Sequence, residues 1–160
     1  MIPGLTAQHI SLRITPSYPE FWQSILPNYL QQRDEFRNPF FTIGAGTADG
    51  DTSIFCTGTL TKGINRPTDV AIAPVQLELL PVSAMDEIRL INDFKVYVDN
   101  YRNDLPYACV PETNPGGYNS NSFVSGLLLK AGAPLPVFPI RGTVAPGWAK
   151  PVPGSRFDPR

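Results

Sequence analysis

The chain has 160 residues, 42% hydrophobic and 17% charged, the length and balance of one globular domain with a core of its own. Thirteen basic residues against fourteen acidic ones leave a formal net charge of -1, which lacks the electrostatic footprint of a nucleic-acid binder. No run of about 18 apolar residues offers a membrane span, and the opening "MIPGLTAQHISLRI" lacks the basic and apolar regions of a signal peptide, reading instead like a domain cut from a longer chain.

In chain order, "HISLRIT" alternates, with Ile10, Leu12 and Ile14 on one face and His9, Ser11, Arg13 and Thr15 on the other, so it predicts a half-buried strand with His9 at its head. "SYPEFWQSILPNYLQQRD" predicts a short helix. Pro19 suits its first turn, Phe21, Trp22, Ile25 and Leu26 form its apolar stripe, and Pro27 ends it. "NPFFTIGAG" and "DTSIFCTGTLTKG" predict two strands joined by the turn "TADGD"; "NRPTD" reads as a turn, and "VAIAPVQLELL" as an extended piece that Pro74 confines to a sheet edge. Ser83 and Asp86 have capping-box spacing before a helix carrying Ile88, Ile91, Phe94, Val98 and Tyr101. "RNDLPYACVPETNPGG" is a loop, followed by a helix from about Ser120 to Ala131 that Gly132 closes. The Pro- and Gly-rich remainder is expected to lack regular structure and to pack on the domain through Phe138, Trp148 and Phe157. The predicted plan is α+β: a small antiparallel sheet packed with helices over residues 1–132, and an extension over residues 133–160.

Cys56 and Cys109 have no metal-ligand spacing, and with a single histidine the chain cannot build an ordinary Cys/His zinc site. The acidic pair in "TADGD" lacks the other ligands of a calcium loop, so neither metal nor cofactor is expected. Cys56 reads as a small buried hydrophobe, with a disulfide to Cys109 as the alternative.

The chemistry concentrates in "GGYNSNSFVSGLLLKAG", where Asn119, Ser120, Asn121 and Ser122 stand at the mouth of an apolar helix. They can be caps. Alternatively, Ser120 is a nucleophile, which requires a base to take its proton, and His9 is the only imidazole in the chain. A helix N-terminus suits an attacking hydroxyl, because its free amides and positive dipole end stabilise a developing oxyanion. Ser122, one step deeper in the helix, and Cys109, in a loop without an activating feature, are weaker rivals for the role. Asp86 and Glu87 read as first-turn carboxylates, not as acid/base groups, and Trp148 as a packing anchor.

A histidine heading an early strand, "HISLRI", and a later "NSNSF" at a helix start together resemble the circularly permuted papain-like group, which includes NlpC-type and lecithin:retinol acyltransferase-like enzymes. "YNSNSFVSGLL", with "IGAG" and "NRPTD", is also similar to C-terminal domains of bacterial polymorphic toxins, including those of type VI secretion. The resemblance spans about His9 to Gly132 and implies a permuted papain-like fold. It also implies a hydrolase with His9 and Ser120 as catalytic residues, Asn119 and Asn121 supporting, and Thr42 or Thr57 orienting the ring. The implied substrate is an ester or amide carbonyl of a membrane lipid or a peptidoglycan peptide, as in a phospholipase or a peptidoglycan hydrolase. The implied setting is an antibacterial effector delivered into a target bacterium, with a cognate immunity protein as partner. The sequence departs from the group in carrying Ser120 where the group has cysteine. That leaves open a natural serine, a silencing substitution, an inactive binding module, or an acyltransferase that excludes water from the second step.

Overall fold

The computed structural model describes residues 6–7, 9–47, 56–70, 83–136 and 143–160. The architecture is α+β, as the pattern predicts. The strands are β1 (Thr6–Ala7), β2 (Leu12–Ile14), β3 (Gln32–Arg33), β4 (Pro39–Thr47), β5 (Thr59–Ile64), β6 (Leu105–Pro106) and β7 (Thr143–Val144), and the helices α1 (Pro19–Ile25), α2 (Pro67–Val70), α3 (Ala84–Asn100) and α4 (Ser120–Lys130). An antiparallel five-stranded sheet runs in the order β2-β4-β5-β6, with β3 also on β4, while β1 and β7 form a separate parallel pair.

β4 is the centre of the molecule, and its sequence explains why. Phe41, Ile43 and Ala45 point to one side, where they join Phe123, Val124 and Leu127 of α4 and Ile91, Phe94 and Val98 of α3 in one apolar cluster. The alternate residues Phe40, Thr42, Gly44 and Gly46 face the other way and are buried too, so the strand is covered on both sides. Each large side chain taken fully out of water in this cluster contributes about 1.5–3 kcal/mol. α4 is buried from Ser120 to Leu128, its polar residues Ser120, Asn121, Ser122 and Ser125 included. Among the described residues no helix is long and apolar enough to cross a membrane.

Helix ends are tied as their residues predict. Ser83 caps α3 by accepting from the Asp86 amide, and Gly132 follows α4 in the left-handed conformation (φ 71°). The C-terminal end of α3 is held by Lys62, whose Nζ donates to the carbonyls of Val98 (2.5 Å) and Asp99 (2.7 Å); burial lowers the pKa of this amine.

Four expectations change. "NRPTD" is not only a turn: Pro67 opens α2, the helix position where a missing N–H costs nothing. The strand expected over residues 51–63 begins only at Thr59 among the described residues, because Cys56 (φ 53°) and Gly58 (φ 112°) adopt left-handed backbone. The loop over residues 102–117 contains β6 and a 3₁₀ turn at Pro111–Thr113. The Pro/Gly-rich C-terminal segment has regular pieces, β7 and a 3₁₀ turn at Gly154–Phe157, because its backbone finds partners elsewhere: β7 pairs with β1, and Val152 N donates to Ser122 O. Val152 and Phe157 belong to the main core, and Trp148 packs against it. "TADGD" beyond Thr47, the extended piece over residues 71–80 and Phe138 lie outside the described residues.

Candidate active site

The polar knot at the start of α4 divides its labour. Asn119 is the N-cap: its extended backbone (φ −139°, ψ −172°) leads into the helix, and its Oδ1 accepts from the Ser122 amide at 3.0 Å. Its Nδ2 donates to the carbonyls of Cys109 (3.3 Å) and Pro146 (2.8 Å), so the cap also fastens two neighbouring segments. Ser122 donates its hydroxyl to Gly147 O. Gly147 must be glycine, since its φ is 87° and a Cβ there would stand 2.3 Å from Asn119 Oδ1 and 2.5 Å from Ser122 Oγ. Capping is thus done by Asn119, and Ser120 is the first helical residue, with no capping duty.

Asn121 links the helix to the histidine strand. The β2–β4 ladder stops at Leu12, and the next inward amide, Ile10 N, donates to Asn121 Oδ1 at 2.8 Å. The same oxygen accepts from Ser120 Oγ at 3.3 Å, while Asn121 Nδ2 donates to Pro146 O at 2.9 Å. These two bonds keep the Ser120 hydroxyl within about 6 Å of the amide that directly follows His9. Hence Ser120, Asn119, Asn121 and the His9 strand are gathered at one corner. His9 and Ser120 are not directly hydrogen-bonded.

The His9 ring instead meets Asp69. Nε2 lies 2.6 Å from Asp69 Oδ1, with the carboxylate side chain fully buried and the ring 36% exposed. Asp69 reaches this place because the sheet is bare beneath it. Gly44 and Gly63 are cross-strand partners, and a Cβ on Gly44 would stand 2.3 Å from Asp69 Oδ2, one on Gly63 2.3 Å from Arg66 Cδ. Asn65 turns the chain onto that spot: in left-handed backbone (φ 51°), it exchanges bonds with both backbone groups of Thr42, extending the β4–β5 ladder by one position before α2 begins. Asp69 therefore covers the face of β4 opposite Ile43 and Ala45, and α4 packs on the Ile43 face; the edge strand is shorter than the alternation predicts, Leu12–Ile14, so His9 does not head it but lies three residues ahead of it in irregular backbone. Asp69 Oδ2 has no hydrogen-bond partner among the described residues.

A neutral imidazole whose Nε2–H is held by a carboxylate presents its lone pair on Nδ1. The corner thus brings near one another an imidazole set on a buried carboxylate, a hydroxyl at a helix start and the N-terminal end of α4. Asp69 was hidden in the sequence inside "NRPTD", with only its place after Pro67 to mark it.

Thr42 does not orient the ring: its hydroxyl is buried without a hydrogen-bond partner, and the position on His9 is held by Asp69. Thr57 is exposed in the segment before β5. Cys56 is not an isolated apolar residue, and Cys109 is no free thiol, since the two form a disulfide. Glu87 receives the Ser17 amide and the Trp22 Nε1–H, tying the start of α3 to α1. Among the described residues no three His, Cys, Asp or Glu side chains gather to hold a metal ion.

A depression of about 580 Å³ lies elsewhere, lined by Pro19, Glu20, Arg33 and Arg37 among others, and has none of these groups. Comparison with family models, with curated proteins and with solved structures gives no match.

Proposed function

We propose that the domain is an acyl hydrolase of permuted papain-like type, using Ser120 as nucleophile, His9 as base and Asp69 as the group that orients His9. The observation that carries this reading is the buried Asp69 carboxylate on the chain's only imidazole, at the corner where Asn121 holds the Ser120 hydroxyl.

In the resting arrangement Ser120 Oγ donates to Asn121; catalysis requires that it leave this bond and reach Nδ1 of His9. Nδ1 takes the hydroxyl proton as Oγ adds to the substrate carbonyl. The oxyanion that forms sits at the positive end of α4, beside the Ser120 amide, which the Asn119 cap does not use. The protonated ring then gives its proton to the leaving alcohol or amine, and water, deprotonated by the same nitrogen, releases the acid and restores Ser120. Asp69 keeps Nε2 protonated throughout, so Nδ1 is the working atom.

The substrate is a lipid acyl ester or a peptidoglycan peptide, and the setting an antibacterial effector with an immunity protein, as the resemblance implies. The Cys56–Cys109 disulfide supports an oxidising destination such as the periplasm. A second reading, a binding module with a silent site, is favoured by the burial of Ser120, 5% exposed with its hydroxyl already donated to Asn121.

The test uses oxidised protein with phospholipid vesicles and with peptidoglycan, followed by mass spectrometry of the products. We expect fatty acid or muropeptide release that Ser120→Ala and His9→Ala abolish and that Asp69→Asn lowers by about 10²–10⁴-fold. Absence of product from both wild type and Ser120→Cys on both substrates refutes the enzyme and leaves the binding module.

A further inference from the structure

We propose that the Cys56–Cys109 disulfide is a redox-operated fastener of the α4 N-terminus, holding the polar knot in place while oxidised and releasing it when a dithiol reductant opens the bridge. Its consequence for catalysis rests on the reading of Ser120 as nucleophile; the release itself does not.

Three features of the bridge point to this. First, it ends at the knot: the carbonyl of Cys109 accepts from Asn119 Nδ2, and Asn119 caps α4. Second, the other half-cystine is held in an unfavourable shape. Cys56 has φ 53°, a left-handed conformation that L side chains seldom adopt, and the segment it leads supplies the Gly58 carbonyl that receives the Tyr107 amide at 2.8 Å. With the bridge open, nothing in Cys56 itself favours that shape, and its relaxation withdraws the Gly58 carbonyl from the base of the loop. Third, both half-cystines are only half-buried, within reach of a reductant.

The segment between the bridge and the helix is otherwise tied at its base and from the C-terminal side, where Glu112 accepts from the Gly147 amide. Ala108 N donates to Tyr118 O, Tyr118 N donates to Pro106 O, and Lys150 binds carbonyls of residues 111–117 from the C-terminal side. The apolar cluster of β4, α3 and α4 does not include Cys56 or Cys109, so its packing can survive the opening. The step is ordinary thiol–disulfide exchange. A thiolate of the reductant attacks one sulfur, the other leaves as thiolate and takes a proton, and the second reductant thiol resolves the mixed disulfide. Two electrons and two protons pass to Cys56 and Cys109 while the dithiol becomes a disulfide.

The experiment measures backbone order parameters by NMR on the intact chain, oxidised and then in excess dithiothreitol, with Cys56→Ser as a control free of reductant. In the oxidised protein we expect residues 107–122 near the rigid value of about 0.85. On reduction, and in Cys56→Ser, residues 107–119 should fall below about 0.6 and the Ser120–Phe123 amide signals should shift, with Ile91–Val98 of α3 unchanged. Unchanged order at 107–119 overturns the proposal. So does collapse of the whole spectrum to unfolded positions, which would make the bridge a staple for the entire domain. Loosening without activity in either redox state upholds the fastener and counts against Ser120 as nucleophile.

Discussion

Replacing Gly44 by alanine asks whether Asp69 stands where the histidine needs it. A Cβ at this position lies 2.3 Å from Asp69 Oδ2, 2.9 Å from Cγ and 3.1 Å from Oδ1, so the carboxylate and the methyl cannot occupy their present places together. Asp69 has no easy retreat: its side chain is fully buried, and Asn65 pins the turn ahead of α2 to Thr42. Overpacking of this kind costs about 1–3 kcal/mol, and a carboxylate pushed aside also loses its 2.6 Å bond to His9. We expect Gly44→Ala to lose about 2–3 kcal/mol, or about 4–12 °C in Tm for a domain of this size. In an Asp69→Ala background the obstacle is gone. The same substitution should then cost no more than about 0.5 kcal/mol, a coupling of about 1.5–2.5 kcal/mol. Urea unfolding of the four proteins measures the cycle, and ring ¹⁵N shifts report on His9 without ambiguity because the chain has one histidine. Full stability of Gly44→Ala with unchanged ring signals would refute the placement of Asp69. An equal penalty in the Asp69→Ala background would refute its cause.

Two further perturbations test neighbouring parts of the fold. The Tyr29 hydroxyl donates to Asp99 Oδ1 at 3.1 Å, and burial, followed by the Asp99 charge, pushes its pKa from 10.0 up to about 12. The folded state therefore keeps a proton that the unfolded chain loses. The stabilisation is complete below pH 10 and is lost as pH rises toward 12, so Tyr29→Phe should flatten the alkaline fall of urea midpoints, and an identical slope in both proteins would contradict this. Lys150 Nζ reaches the carbonyls of Pro111 (2.9 Å), Asn114 (2.5 Å), Pro115 (3.0 Å) and Gly117 (2.9 Å). Lys150→Met should cost about 1–3 kcal/mol in urea unfolding, against about 0.5 kcal/mol for Lys95→Met, which breaks only an exposed i,i+4 pair with Asp99; equal costs would show that the carbonyl cluster contributes nothing special.

What the sequence makes legible is local. The α4 boundaries follow from Asn119 and Gly132, the α3 start from Ser83, and the strand at Leu12–Ile14 from the local alternation, which however runs on too early to include His9 and Ile10; each signal and its cause lie within a few residues. What stayed hidden depends on partners far apart in the chain. Asp69 meets His9 across 60 positions and only because Gly44 and Gly63 come into register; Cys56 meets Cys109 across 53. "NRPTD" reads as a turn since proline and aspartate favour turns, and nothing within it reports that a flat patch of glycine awaits the helix it opens. The C-terminal segment misleads for the same reason. Its prolines exclude a local ladder, yet Thr143 and Val144 find Thr6 and Ala7 at the other end of the chain.

The division of duties within the knot bears on the choice between an enzyme and a silent module. Asn119 caps the helix and anchors two segments, Asn121 receives the histidine strand, and Ser122 holds Gly147, so each makes a bond that the fold would miss. Ser120 alone spends its hydroxyl on the side chain next door, in a 3.3 Å bond that fastens no other element. On the histidine side, a buried carboxylate is set against a third-exposed ring where Gly44 leaves the strand bare, an arrangement that weakens the strand. Both features fit the proposed enzyme better than the alternative of a module kept only for binding. On the proposed reading the Ser120 hydroxyl gives up its bond to Asn121 to pass its proton to the ring that the Asp69 carboxylate orients.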